Sequence, residues 1–157
     1  METPLVFEYK EFPINRSGDK GKIGSKKPLL KLASKEFPNR KVDCLVDSGA
    51  DKSISFKTVG EVWFGITFSK YDKIENRIYG LHTCPDTSCA KHPHKAPAYQ
   101  KPITFLVGDK DVALNVIWLD RGFNPNEDLP FILGRDFFDY FDILFKQRKE
   151  EFLLFPH

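Results

Sequence analysis

Short runs of apolar or alternating residues follow one another along most of the chain, separated by Gly, Pro, Asn and Asp. A period of two with turn residues at close intervals is typical of β-strands joined by short connections. The predicted strands are residues 5–10, 28–34, 41–47, 63–69, 102–108, 113–120 and 130–134. The pattern therefore indicates an all-β fold, either barrel-like or sandwich-like, with residues 5–10 as an edge strand.

The C-terminal part of the chain departs from this pattern once. Phe137, Phe138 and Phe141 fall at i, i+1 and i+4, which places them on one face of a helix, and Asp136 precedes them as a helix cap. We therefore predict a short helix here. Residues 142–155 then read as a β-hairpin that turns at Gln-Arg-Lys-Glu.

Composition narrows the class of protein. The chain has 157 residues, of which 41% are hydrophobic and 29% are charged, as expected for a soluble globular protein with one core. A net charge of +2 does not favour nucleic acid or an anionic membrane as a partner. No apolar run approaches the roughly 20 residues that cross a bilayer.

The N-terminal sequence, the cysteine count and a Gly-, Lys- and Ser-rich stretch bear on localisation and domain limits. The N-terminus lacks the order of a secretory signal, and three cysteines are too few for a disulfide framework, so we expect a cytoplasmic protein. Residues 15–28 are rich in Gly, Lys and Ser and read as a flexible loop. We divide the chain into residues 1–28, an N-terminal strand with this loop, and residues 29–157, the main domain.

A carboxylate ends one of the predicted buried strands. Asp47 follows Leu45 and Val46, and Ser48 and Gly49 come directly after it. Asp-Ser-Gly is ordinary turn chemistry, because Asp and Ser bond nearby backbone and Gly accepts a positive φ. However, an acid framed by apolar residues is costly unless it is hydrogen-bonded or has a chemical role. Residues around Asp47 are therefore our first candidate for a functional site.

Two motifs in the chain together resemble those of retropepsin-like aspartic proteases, the single-domain relatives of the retroviral proteases. The first is Leu-Val-Asp-Ser-Gly-Ala-Asp at residues 45–51, and the second is Ile-Leu-Gly-Arg-Asp at residues 132–136. They occur in the family's order, and the resemblance covers about residues 29–157. It implies a small closed β-barrel with one short C-terminal helix, paired as a C2 homodimer. It also implies that Arg135 pairs with Asp51 and braces the loop.

The resemblance further implies a catalytic site. Such enzymes place two carboxylates around one water molecule, and this chain has a single Asp-Ser-Gly. A homodimer in which each copy contributes Asp47 would complete the pair, with Ser48 and Gly49 fixing the loop. The expected activity is hydrolysis of a polypeptide without a cofactor. Residues expected to contact the substrate are Ala50 and a flap, or cleft-covering hairpin, at Ile78, Tyr79, Gly80 and Leu81.

A Cys/His cluster departs from the family pattern. Cys84, Cys89, His92 and His94 lie in an insertion at residues 82–96, and zinc prefers thiolate and imidazole ligands. The spacing leaves three alternatives open, namely a structural zinc, a disulfide between the two cysteines, or free thiols.

Three interpretations of function remain at this point. The first is a homodimeric aspartic endopeptidase, and the second is a non-catalytic module of the same fold that binds a peptide or a partner. The third is a zinc-dependent interaction protein built on the cysteine and histidine cluster. The terminal strands also allow two arrangements, an interleaved dimer sheet as in the retroviral proteases or pairing within one chain.

Overall fold

The computed structural model describes residues 3–11, 26–74, 97–125 and 128–157. These residues form a mostly β structure with one α-helix, α1 (Lys57–Phe64). The strands are β1 (Leu5–Glu8), β2 (Lys10–Glu11), β3 (Lys26–Lys27), β4 (Leu29–Leu32), β5 (Val42–Val46), β6 (Ile54–Phe56), β7 (Lys73–Ile74), β8 (Ala98–Val107), β9 (Lys110–Leu119), β10 (Phe131–Leu133), β11 (Phe141–Lys146) and β12 (Glu151–Pro156). All the strands predicted from alternation are present except the one at residues 63–69.

Seven strands form the main sheet, in the order β4-β5-β10-β6-β9-β8-β7. The sheet curls until Ser34, beyond the end of β4, makes a single antiparallel bridge with Phe105 of β8. After this bridge the chain turns away from β8, in a turn that is closed by the hydrogen bond from Phe37 N–H to the Ser34 carbonyl at 3.1 Å. A closed barrel is not found among the described strands, so the closure that the resemblance implied is not confirmed.

The two ends of the chain pair with each other in a second, three-stranded sheet of order β1-β12-β11. Strand β12 lies in the middle and is antiparallel to both neighbours. The predicted C-terminal hairpin is confirmed, and its turn is a 3₁₀ turn at Gln147–Lys149 followed by Glu150 with φ of 50°. Of the two arrangements considered for the terminal strands, the structure shows pairing within one chain.

Aromatic rings fill the core between the sheet and α1. Phe131 packs edge-on against Phe64, Phe105 and Trp118, with ring centroids 5.2 to 6.2 Å apart. The indole N–H of Trp118 donates to the Lys101 carbonyl at 3.0 Å, so its one polar group is satisfied. This packing holds β10 in the centre of the sheet.

Helix α1 replaces the strand predicted at residues 63–69. Its side chains do not favour a helix, since it contains Val59, Gly60 and Val62 and has no side-chain cap at its start. Burial stabilises it instead, because Gly60 is buried against Trp118, where an added Cβ would lie 3.0 Å from the ring, closer than most side chains pack. Gly65, with φ of 62°, ends the helix. None of the described helices is long and apolar enough to span a membrane.

The helix predicted at the phenylalanine-rich segment is reduced to a 3₁₀ turn at Phe137–Asp139. Asp136 caps this turn as predicted, accepting from Phe137 N–H at 3.1 Å. Phe141 belongs to β11 and pairs with Pro156. The strand pairing with β12 therefore takes precedence over the helical spacing of the three rings.

Candidate active site

The loop that carries Asp47 crosses the end of another strand. Strands β5 and β6 are adjacent in the chain, but β10 lies between them, parallel to β5 and antiparallel to β6. Residues 47–53 must therefore pass over the end of β10, where Gly134 lies. A Cβ at Gly134 would lie 2.5 Å from the Lys52 carbonyl and 2.8 Å from the Ala50 oxygen. The glycine of the second motif thus makes room for the loop of the first.

Asp47 is half-buried and anchored through its backbone and one carboxyl oxygen. Its N–H donates to the Leu133 carbonyl at 2.9 Å, which extends the β5–β10 pairing by one residue. Gly49 N–H donates to Asp47 Oδ1 at 2.8 Å. In the described part of the chain nothing donates to the other oxygen, Oδ2. One hydrogen bond therefore orients the carboxylate, and its other oxygen accepts none from the described residues.

The other residues of the first motif shape the turn. Ser48 and Gly49 are exposed, and Ala50 N–H closes the turn by donating to the Asp47 carbonyl at 3.3 Å. The Ala50 carbonyl in turn accepts from Arg135 N–H at 2.8 Å. The two motifs are thus joined by backbone hydrogen bonds as well as by the crossing.

A buried contact that the sequence did not reveal joins the loop to the second motif more firmly. The Ser53 hydroxyl, which is fully buried, donates to Asp136 Oδ1 at 2.7 Å and accepts from Gly134 N–H at 3.1 Å. Ser53 lies 83 positions from Asp136 in the chain, and no local pattern marks such a pair. One indication in the sequence that Asp136 takes part in such a contact is that this cap residue belongs to the second motif.

Arg135 and Asp51 lie together, but the contact between them is neither buried nor bidentate. Arg135 Nη1 and Asp51 Oδ1 are 3.5 Å apart, and the two side chains are 67% and 87% exposed. Exposed pairs of this kind contribute about 0–1 kcal/mol. The buried Ser53 contact and the backbone hydrogen bonds therefore fix the loop more strongly than this ion pair does.

An apolar row runs across the main sheet beside Asp47. Leu45 is paired with Ile132, Ile132 with Ile54, and Ile54 with Ile117. Leu45 and Ile132 alternate with core residues along their strands and so face away from the core, whereas Ile54 and Ile117 also pack against it. Asp47 follows Leu45 by two residues and has the same parity. The carboxylate and the row therefore lie on one face of the sheet.

A buried acid, Asp128, has a structural role. Asp128 is 5% exposed and accepts from Arg121 at 3.0 and 3.3 Å and from Asn124 N–H at 2.9 Å. The Arg121 guanidinium also lies 4.8 Å from the centre of the Phe56 ring. This pair anchors the connection between β9 and β10, and sequence analysis did not identify it.

Several predicted site residues lie outside the described residues. They are the flap residues Ile78, Tyr79, Gly80 and Leu81 and the cluster Cys84, Cys89, His92 and His94. Within residues 3–11, 26–74, 97–125 and 128–157, no group of three or more His, Cys, Asp or Glu side chains could hold a metal ion. The zinc site and the flap remain predictions.

Comparison with known proteins finds similar solved structures but no sequence relative. No family model and no curated protein matches the chain. A retropepsin-like aspartic protease from Rickettsia conorii is similar, with a TM-score of 0.49 and 16% identity over 98% of this chain and 94% of that one. EIAV protease complexed with the inhibitor HBY-793 gives a TM-score of 0.45 and 16% identity over 79% and 92%.

The first structure carries the name of the class that the two motifs resemble, and the second is named as a protease. At such TM-scores and identities the likeness assigns no function and no site residue. A function has to be argued from the residues of this chain.

Proposed function

We propose that the protein is an aspartic endopeptidase whose active site forms between two copies of the chain, each contributing Asp47. The observation that carries this proposal is the placement of Asp47. It is half-buried at a strand end, oriented by the Gly49 N–H, and held by a loop that crosses the Gly134 backbone. The Gly49 contact alone is that of an ordinary Asp turn. The half-buried position of Asp47 and the close crossing over Gly134 are what distinguish this carboxylate from one in a surface turn.

The chemistry needs two such carboxylates around one water molecule. Two like charges at short distance do not both ionise readily, so the pair keeps one proton. The ionised Asp47 removes a proton from the water, whose oxygen attacks the peptide carbonyl carbon. The protonated Asp47 of the other copy donates to the carbonyl oxygen. Proton transfer to the amide nitrogen then releases the amine, and no covalent enzyme intermediate forms.

The apolar row supports an extended polypeptide as substrate. Leu45, Ile132 and Ile54 are cross-strand neighbours on the face of the sheet that carries Asp47; Leu45 and Ile54 are half-buried, and Ile132 between them is buried. Side chains of an extended chain alternate in direction, so every second one could contact this row while its backbone faces the carboxylates. Ala50 and the predicted flap at residues 78–81 would complete the cleft.

Cleavage of an unfolded protein tests the proposal. We expect Asp47→Asn to reduce the rate by at least about 10³-fold, because an amide cannot act as the general base. Asp109→Asn is a matched control, since Asp109 is an exposed acid in the β8–β9 turn, and it should cleave like the wild type. The rate should be highest at acidic to near-neutral pH. Full activity of Asp47→Asn, or a rate still rising above pH 8, would contradict the proposal.

The same experiment separates the alternatives. Binding of an unfolded peptide without cleavage would identify a non-catalytic module. The zinc-dependent alternative predicts that purified protein contains about one zinc per chain. That metal should be lost in a Cys84→Ser/Cys89→Ser variant, together with partner binding.

A further inference from the structure

One strand of the three-stranded sheet has an unpaired edge. Strand β11 pairs with β12 on one side, and none of the described strands pairs with its other side. It is six residues long, and Leu144 in its middle is 48% exposed. An edge of this length offers its backbone N–H and C=O groups to another strand.

We propose that this edge pairs with β11 of a second copy, antiparallel and centred on Leu144. The inference rests on the proposed function for its reason, because the half-site needs a second copy. The free edge and the side chains of β11 themselves support this surface, this partner and this register.

Symmetry restricts the register. When a twofold axis runs perpendicular to a sheet, side chains that face each other must point to the same side, so one residue always faces its own copy. Centring on Ile143 would place Asp142 opposite Leu144, and centring on Phe145 would place Leu144 opposite Lys146. Centring on Leu144 places Asp142 opposite Lys146 and Ile143 opposite Phe145. Only this register pairs opposite charges and apolar side chains throughout.

The side chains agree with this register on both faces of the sheet. On the outer face, Val6, Leu153 and Leu144 are direct neighbours, so two copies would form one apolar stripe across six strands. Ion pairs would flank the central Leu144 on each side. Within one chain, Asp142 already contacts His157 at 3.5 Å and Lys146 contacts Glu151 at 3.2 Å. Both contacts lie on the outer face.

The other edges of the described sheets lack this self-complementarity. Strand β1 has four residues, and centring it on Val6 or Phe7 leaves Glu8 opposite Pro4 or Val6. Strand β4 would place Lys31 opposite its own copy or opposite Leu29. Strands β2, β3 and β7 have only two residues each. Strand β11 is therefore the edge best suited to a second copy.

Charge variants test the pairing directly by sedimentation. Asp142→Lys and Lys146→Asp each place like charges together twice, and each should weaken dimer formation about tenfold or more. An equimolar mixture of the two variants should regain wild-type association. In the mixed dimer, one β11 edge carries lysine at both positions and the other carries aspartate at both, so opposite charges face each other. The double variant Asp142→Lys/Lys146→Asp should also regain it. Glu8→Lys, a charge reversal at the other edge of the same sheet, is the control and should associate like the wild type.

A crosslink tests the centre of symmetry. Leu144→Cys should form a disulfide-linked dimer on mild oxidation, since directly opposed Cα atoms of antiparallel strands lie about 4.5–5.5 Å apart, within the span of a disulfide. Val6→Cys, which is also exposed on the outer face, should give no more dimer than the wild-type chain.

The readouts are independent of catalysis. All of these variants can carry Asp47→Asn, so the dimer is measured without peptidase activity. Charge variants that associate like the wild type, or a mixture that does not recover, would overturn the inference even if Asp47 proves catalytic. Association that follows the charges, with no cleavage by the wild-type chain, would overturn the proposed function instead.

Discussion

The Ser53 hydroxyl donates to Asp136 Oδ1 at 2.7 Å, and this buried contact ties the loop after β5 to the turn after β10. Ser53 also accepts from Gly134 N–H at 3.1 Å, so one side chain satisfies groups on both sides of the crossing. Since Asp47 begins the same loop, the contact bears on the position of the carboxylate as well as on stability.

Ser53→Ala should therefore destabilise the protein by about 3 kcal/mol, because it leaves the buried Gly134 N–H without an acceptor and removes a donor from Asp136. Ser55→Ala is the matched control, since Ser55 is equally buried on β6 but makes one bond, to the Pro130 carbonyl at 2.6 Å. It should cost about 1 kcal/mol. Urea unfolding of the two variants compares them, and equal losses would contradict the role given to Ser53.

Asp136 provides a second prediction on the same contact. Its Oδ2 is buried and has no hydrogen-bond partner within the described residues, whereas Oδ1 accepts from Ser53 and Phe137. Asp136→Asn keeps the accepting oxygen but places an NH2 group at the buried Oδ2 position, where the described residues offer no acceptor, so it should cost about 1–3 kcal/mol. Asp136→Ala should cost about 2 kcal/mol or more. An Asn variant as stable as the wild type in urea unfolding would contradict the burial of Oδ2 without a partner.

Gly134 gives a steric prediction. Gly134→Ala would place a Cβ 2.5 Å from the Lys52 backbone, which cannot move without shifting the loop. We expect a loss of about 3 kcal/mol or more and reduced cleavage. At Gly122 a Cβ would meet nothing within 4 Å, so Gly122→Ala should stay within about 0.5 kcal/mol of the wild type. Thermal unfolding distinguishes the two, and similar melting temperatures would show that the loop does not cross closely.

The sequence was sufficient where local chemistry determines structure. Alternation predicted β4, β5, β8, β9 and β10, and the turn residues predicted the C-terminal hairpin. The two motifs located the loop of Asp47 and the glycine beneath it, because strand ends and tight turns carry a local residue signature.

Features that depend on distant contacts could not be predicted in the same way. Helix α1 contains poor helix formers and is stabilised by burial of its glycine against Trp118. Phe141 matched a helical spacing but pairs with Pro156. The Ser53–Asp136 contact joins residues that are far apart in the chain. In each case the residue that determines the structure is too far away in the chain to be detected from the neighbouring sequence.

Cys44 gives a prediction for pH. Burial, reinforced by the negative charge of Asp43, raises the pKa of the Cys44 thiol well above its ordinary value. The folded state therefore keeps this proton when the unfolded state loses it. The resulting stability is present below about pH 9 and is lost as the pH rises toward the folded pKa.

Two measurements check this sign. Peptide mapping after treatment with a thiol reagent at pH 8 should find Cys44 unmodified in the native protein and modified in denaturant. The fall in unfolding free energy between pH 8.5 and 10 should also be smaller in Cys44→Ala. Rapid modification of native Cys44 would contradict its burial.

The ion pairs of Asp51 and Asp128 should differ in their contribution to stability. Arg135→Ala removes a single 3.5 Å contact between exposed groups and should change the free energy of unfolding by less than about 1 kcal/mol. Asp128→Ala removes a buried acceptor of three hydrogen bonds and leaves Arg121 without its carboxylate, so it should cost about 3 kcal/mol. Raising the salt concentration should further reduce the small Arg135 effect and leave the Asp128 effect largely unchanged, because exposed pairs are screened more strongly. A large, salt-resistant loss in Arg135→Ala would mean that the pair, rather than the Ser53 contact, holds the Asp47 loop.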